Sequence, residues 1–140
     1  MPPHNVRCAH GRSTVWLVTA LLALILGACR GPLLDLHAEA PARVWAAAPV
    51  CAEVAVKAAA AGHDAAWLTR LAYRESRLRR DVCSSAGACG PLQAVPGYWC
   101  EGEPCDIVAA GVRAWGHYER KAGGDRKRAL CWYTGRRRCA

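Results

Sequence analysis

The sequence is poor in acidic residues, and none precedes Asp35. Asp and Glu together number 11, against 19 Lys and Arg. The N-terminal stretch has Arg7 and Arg12, no acid, and then the apolar run TVWLVTALLALILGAC. A membrane-spanning helix needs roughly 20 apolar residues, and this run is shorter. We therefore predict a secretory signal peptide over residues 1–28 rather than an anchor.

The nine cysteines contain no C-x-x-C spacing, and His37, His63 and His117 do not cluster with cysteines at the sequence spacing of metal ligands. This pattern argues against a structural zinc site, and we predict no metal and no cofactor. So many cysteines in 140 residues indicate an oxidising compartment instead, in agreement with export.

The four residues Leu26-Gly27-Ala28-Cys29 resemble the signal of bacterial lipoproteins. The resemblance implies that Cys29 is lipidated and becomes the mature N-terminus; the alternative is an ordinary signal peptide cut near Ala28. Residues 29–49 are rich in Pro and Ala and are then predicted to form a tether between the lipid and the globular domain. Arg30 does not resemble the aspartate that retains lipoproteins at the inner membrane, so in a diderm host the implied location is the outer membrane, facing the periplasm.

Seven cysteines remain if Cys8 leaves with the signal and Cys29 carries lipid. Three local disulfides are sterically plausible and would leave Cys51 free, although sequence alone does not fix the connectivity. These pairs are Cys83–Cys89, Cys100–Cys105 and Cys131–Cys139.

The chain without its signal carries seventeen basic and eleven acidic residues, a charge of about +6. Such a charge suits nucleic acid, anionic lipid or an acidic polymer. Export argues against nucleic acid and favours cell-wall material, while the simplest alternative is a basic surface that keeps a small protein soluble. The sequence gives no indication of an oligomeric state.

No internal repeat and no convincing alternating strand is visible, so we predict a mainly α domain over residues 50–140. Helices are expected from Val50 to Ala61, from Asp64 to about Ser76, and after the capping residues Asp106 and Asp125. The Gly-, Ser- and Pro-rich stretch DVCSSAGACGPLQAVPGYWC is expected to be mostly loop, with one short helix over 92–95.

Glu75 is the one acid of the segment LAYRESRLRR. Successive helical residues turn by about 100°, which places Glu75 on the same face as Leu68, Leu71 and Ala72. A carboxyl group on an apolar stripe keeps its proton to higher pH, as a general acid must. The alternative is a helix-surface salt bridge.

Three segments in this order resemble the soluble-type lytic transglycosylases, which have a lysozyme-like fold and cleave peptidoglycan. They are RES, where the family has a Glu-Ser pair closing a helix; SSAGACGPLQAVP, where it has a Gly-Leu-Met-Gln loop; and ALCWYTG, where it has Tyr-Asn. The resemblance runs from about Val50 to Gly135. It implies a small lysozyme-like helical domain with a loop-rich active-site region, here stapled by disulfides.

The resemblance makes Glu75 the catalytic acid and Ser76 its neighbour at the cleft. It places Gly90 and Gln93 in the loop that contacts substrate, and Tyr133 opposite the catalytic glutamate. Gly90, Gln93 and Tyr133 each have a simpler structural explanation, as a turn glycine, a surface amide and a core aromatic residue, respectively.

Two positions depart from the family pattern: Pro91 replaces a Leu and Thr134 replaces an Asn. The Asn side-chain amide of the family is absent at Thr134, which puts the catalytic activity in doubt. A glycan-binding protein with weak activity is therefore an alternative. Tyr98 and Trp99 lie in the loop region and are candidates for stacking on a sugar ring.

Ordinary glycosidases use two carboxylates, whereas the resemblance implies that the N-acetyl group and the 6-hydroxyl of the muramic residue (MurNAc) complete the reaction here. The product would be a 1,6-anhydro sugar, formed by cleavage of the MurNAc-β-1,4-GlcNAc bond. A hydrolytic muramidase would need a second acid, and Asp81, Asp106 and Asp125 are the available ones. The latter two are better explained as helix caps, so the lyase is favoured.

Overall fold

The computed structural model of the chain describes residues 11–136 and 138–139. The first ten residues of the predicted signal peptide lie outside this part. Six α-helices run through it, and the described residues contain no strand, only isolated bridges at Cys83–Cys89 and Cys89–Ala94. The helices are α1 Gly11–Glu39, α2 Val44–Ala60, α3 Ala65–Ser76, α4 Pro96–Trp99, α5 Ile107–Lys121 and α6 Arg126–Tyr133. The predicted mainly α class is confirmed; the lysozyme-like arrangement stays a prediction.

Three aspartates cap α3, α5 and α6, as predicted. Asp64, Asp106 and Asp125 each accept a hydrogen bond at 3.0 Å from the backbone N–H three residues later. This interaction satisfies a donor that the first turn leaves without a partner, and each cap contributes about 1 kcal/mol. The start of three of the helices was therefore readable from single residues.

The short loop helix lies at Pro96–Trp99, not at 92–95. Gln93 has a φ of 50°, in the left-handed region, which an α-helix does not accommodate. Pro96, by contrast, stands in the first turn, where its missing N–H is not needed. The prediction was right about a helix in this loop and wrong about its place.

The segment predicted as a tether, residues 29–49, is largely helical and packed against the domain. It contains the second half of α1, a short 3-10 turn at Pro41–Arg43 and the beginning of α2. Cys29 and Leu36 are buried, and the buried hydroxyl of Thr69 donates to the backbone oxygen of Ala28 at 2.8 Å. The prolines did not prevent helix formation because apolar residues between them pack on α2 and α3.

The first half of α1 projects from the domain with its apolar side chains in solvent. Val15, Trp16 and Leu26 are each more than half exposed. By length and composition, Thr14–Glu39 is able to cross a membrane, and a signal sequence near an N-terminus has the same properties. The helix thus has the length and composition of a signal peptide or of a membrane anchor.

Four disulfides join cysteines of the described residues, and three of them are the predicted local pairs Cys83–Cys89, Cys100–Cys105 and Cys131–Cys139. The expectation that Cys51 is free is wrong, because Cys51 is bonded to Cys29. Both residues are buried where α1 packs beside α2. Since a sulfur atom in a disulfide cannot carry a lipid, the predicted lipidation of Cys29 and this bond exclude each other in one molecule.

Candidate active site

Glu75 lies in the last turn of α3, on the face that the helix turns toward the core. Leu68, Leu71 and Ala72 on the same face are all buried, whereas Arg74 is exposed. The side chain of Glu75 is half-buried at the edge of this stripe. Glu75 therefore lies on the predicted apolar face of α3, and its catalytic role stays a prediction.

Burial raises the pKa of the Glu75 carboxyl, and the nearby charge of Arg74 opposes this shift only in part. No hydrogen bond or ion pair joins Glu75 to another residue within the described chain. A carboxyl group that is partly desolvated and has no cation bound to it keeps its proton near neutral pH better than a solvated one. Glu75 thus meets the electrostatic condition for a general acid.

Tyr133, at the end of α6, lies near Glu75. The charge of Glu75 adds to the effect of burial in raising the pKa of the Tyr133 phenol above its ordinary range. The phenol donates a hydrogen bond to the backbone oxygen of Leu92, and the ring packs 5.8 Å from Trp115 and 6.0 Å from Tyr118, centroid to centroid. The structure therefore brings together the helix of Glu75, the loop and α6, and Tyr133 is both a core residue and a neighbour of the acid.

Ser76 does not present its hydroxyl to a cleft. The side chain is buried, and Oγ lies 2.8 Å from the backbone oxygen of Pro91 and 3.0 Å from that of Ala72, while it accepts from the N–H of Arg79. Ser76 holds the loop against the end of α3. In this structure the Ser76 hydroxyl makes hydrogen bonds within the protein, in place of the predicted contact with substrate.

Gly90 and Gln93 form the turn of the loop that faces α5. Gly90 has a φ of +79°, and a Cβ atom there would lie 2.5 Å from Cγ1 of Ile107, so both backbone and space require glycine. The Gln93 side-chain N–H group donates to the backbone oxygens of Val82 and Gly90 at 3.1 and 3.0 Å. This leaves the side-chain oxygen of Gln93 as the atom of that amide open to a ligand.

Tyr98 and Trp99 line a pocket of about 410 Å³ together with His63 and Arg113. Tyr98 is 80% exposed, whereas Trp99 packs on the ring of Tyr118 at 6.3 Å between centroids. Since Tyr118 in turn contacts Tyr133, a row of aromatic rings connects this pocket with the neighbourhood of Glu75. The exposure of Tyr98 and the position of Trp99 suit stacking on a sugar.

A basic pocket lies at the end of α3, and its residues were not predicted. Arg74, Leu130 and Thr134 belong to its wall, and its volume is about 340 Å³. Glu75 itself does not line this pocket. The sequence signals were the two basic runs DRKRA and GRRRC, and each is equally typical of a solvated turn.

No second carboxylate assists Glu75 in the described part of the chain. Asp106 and Asp125 serve as helix caps, Asp81 is exposed, and no acid contributes to the pKa shift of Glu75. Among the described residues there is also no group of three or more His, Cys, Asp or Glu able to hold a metal ion. The chemistry available at this site is that of a single acid beside a tyrosine.

A comparison of the chain with protein-family models, with curated proteins and with solved structures finds no match.

Proposed function

We propose that this protein is a peptidoglycan lytic transglycosylase that cleaves the MurNAc-β-1,4-GlcNAc bond and forms 1,6-anhydro-MurNAc. The observation that carries the proposal is the half-buried Glu75, whose carboxyl pKa is raised by burial and which has no cation bound to it. The order of the three segments that resemble the soluble-type transglycosylases supports it, and so does the packing of those segments around Glu75.

In this proposal the protonated Glu75 first acts as an acid. It donates its proton to the glycosidic oxygen while the C1–O bond breaks, and the N-acetyl oxygen of MurNAc bonds to C1. The Glu75 carboxylate then removes the proton of the 6-hydroxyl, whose oxygen attacks C1 and displaces the acetamido oxygen. The acid is regenerated, and no water is consumed.

The lack of a second acid near Glu75 in the described residues favours this reaction over hydrolysis. An inverting hydrolase needs a second carboxylate to activate water, and a retaining one needs it as nucleophile. Asp81, Asp106 and Asp125 have other environments, as described above. A hydrolytic muramidase of the same fold is the less supported alternative.

The test is the substitution Glu75→Gln, which keeps the shape of the side chain and removes its proton. We expect purified sacculi treated with this variant to release no anhydro-muropeptides in mass spectrometry. Glu103→Gln, at an exposed loop position, is the matched control and is expected to behave like the wild type. Unchanged release by Glu75→Gln would remove Glu75 from the mechanism, and products with reducing MurNAc ends would indicate a hydrolase.

A protein that binds glycan without cutting it is the second candidate. It is favoured by the internal hydrogen bonds of Ser76 and Gln93 and by Thr134, whose hydroxyl donates to the backbone oxygen of Leu130 at 2.9 Å. The two hydroxyls and the side-chain N–H group of Gln93 are thus engaged within the protein, which leaves the side-chain oxygen of Gln93 for a ligand. Retention of the wild-type protein on sacculi without any cleavage product would support this candidate.

We further propose that the domain acts in the cell envelope of a bacterium, at a membrane surface reached through α1. The apolar first half of this helix and the four disulfides support an exported protein. Lipid attachment at Cys29 remains one way of holding it there, and it requires that the bond to Cys51 does not form. The intact α1 is the other way.

A further inference from the structure

The basic pocket at the end of α3 is distinguished by its positive charge. Four of its eight lining residues are cations and none is an acid. The cations come from two distant parts of the chain, the end of α3 and the segment that begins in α6. They are Arg74, Lys127, Arg136 and Arg138.

None of these four cations has a carboxylate partner within the described residues. Elsewhere among the described residues, some cations are paired, such as Arg70 with Asp35 and Arg126 with Asp64, and others, such as Arg128, are not. Like charges gathered around one cavity repel each other, and an anion in the cavity would relieve that repulsion. The missing partners are therefore best supplied from outside the protein.

The pocket is held in shape by covalent and hydrogen bonds. The disulfide between Cys131 and Cys139 ties the C-terminal segment back to α6, and both cysteines are part of the pocket wall. The backbone N–H of Arg136 also donates to the oxygen of Cys131 at 3.1 Å. Arg136 and Arg138 thus project from a closed loop rather than from a free tail.

Two residues of the pocket wall are sequence neighbours of Glu75 and Tyr133. Arg74 directly precedes Glu75, and Thr134 directly follows Tyr133. A glycan strand whose scissile oxygen lies at Glu75 carries peptide stems on its MurNAc residues, and these stems have free carboxylates. Guanidinium groups bind carboxylates through charge-assisted, often bidentate hydrogen bonds.

We propose that this basic pocket binds the carboxylates of the peptide stems, so that the enzyme prefers strands that still carry them. This inference rests on the proposed function and extends it from the glycan to its substituents. It assigns Arg136 and Lys127 a role in substrate selection rather than in the chemical step.

The experiment uses the full-length protein carrying Glu75→Gln, so that the polymer is bound and not degraded. Binding is measured to sacculi that retain their stems and to glycan strands whose stems an amidase has removed. Lys127→Gln and Arg136→Gln change the pocket, and Arg128→Gln is the control, since Arg128 neighbours Lys127 on α6 and does not line the pocket.

We expect each pocket substitution to weaken binding to stem-bearing sacculi roughly five-fold, the upper range for one partly exposed ion pair. Binding to stripped strands should not change, and Arg128→Gln should match its parent on both polymers. Equal losses for all three substitutions would overturn the inference in favour of a simple net-charge effect.

Two further outcomes would also overturn it. Equal losses on stem-bearing and stripped strands would assign the pocket to the glycan itself. If the substitutions weaken binding only to a wall polymer that contains phosphate, the pocket would be assigned as a phosphate-binding site. Failure of the parent to bind either kind of strand would count against the proposed function, whereas good binding without stem selectivity would count against this inference alone.

Discussion

The bond between Cys29 and Cys51 gives the most discriminating prediction, because it excludes the predicted lipidation of Cys29 in the same molecule. The two cysteines are 22 residues apart in sequence. In the chain-entropy model, closing a loop of this length stabilises the folded state by about 3 kcal/mol. For a domain of this size, such a loss lowers the melting temperature by roughly 10 °C.

Cys29→Ser and Cys51→Ser each break this bond, and we expect both to lower the melting temperature of the detergent-solubilised, full-length protein by the same amount. The transition is followed by near-ultraviolet circular dichroism, to which the buried Trp115 contributes. Both variants should stay in the membrane fraction, since neither changes the apolar part of α1 that precedes Cys29. Alkylation before and after reduction, followed by mass spectrometry, should show the Cys51 thiol to be blocked in the wild type.

Lipidation gives the opposite pattern with the same two variants. If Cys29 carries the lipid, Cys51→Ser leaves stability unchanged, and Cys29→Ser alone prevents lipid attachment and maturation. A free Cys51 thiol in the wild type, together with lipid on Cys29, would refute the disulfide and the reasoning from helix packing that supports it.

Three further substitutions test the site. Burial raises the pKa of the Glu75 carboxyl in the folded state above its value in the unfolded chain. The stability that the protonated group contributes is therefore fully present below the unfolded-state pKa, and it is lost as the pH rises through the folded-state pKa. Glu75→Gln should therefore melt at the wild-type temperature near pH 3 and above it at pH 7; the same difference at both pH values would contradict the shift. Tyr133→Phe removes the bond to the oxygen of Leu92 and should lower the free energy of unfolding in urea by about 1 kcal/mol, with no change speaking against that bond. Gly90→Ala forces a strained φ and a clash with Ile107 and should destabilise by at least about 2 kcal/mol; a stability equal to wild type would mean that the loop adopts another conformation.

Local chemistry made much of the fold readable from the sequence. Asp64, Asp106 and Asp125 mark helix starts because the cap needs only one side chain and the next three residues. The same holds for the three short-range disulfides, and for the face of α3 that holds Glu75, which follows from helical geometry.

Features that depend on packing between distant segments were not readable. The pairing of Cys29 with Cys51 requires α1 to lie beside α2, and the prolines of residues 29–49 suggested a linker instead. The inward-facing bonds of Ser76 and Gln93 depend on how the loop lies against α3. The basic pocket could not be predicted because Arg74 and Arg136 are far apart in sequence and line the same pocket only in the folded chain.

The burial of the junction between Ala28 and Cys29 sets an order of events during biogenesis. In the folded domain both residues are buried, and the backbone oxygen of Ala28 is bonded to the hydroxyl of Thr69. A signal peptidase needs an extended, accessible segment, so removal of the predicted signal peptide requires a cut before α1 docks onto α2 and α3. After docking, the predicted cleavage site is covered, and a chain that was not cut earlier keeps α1.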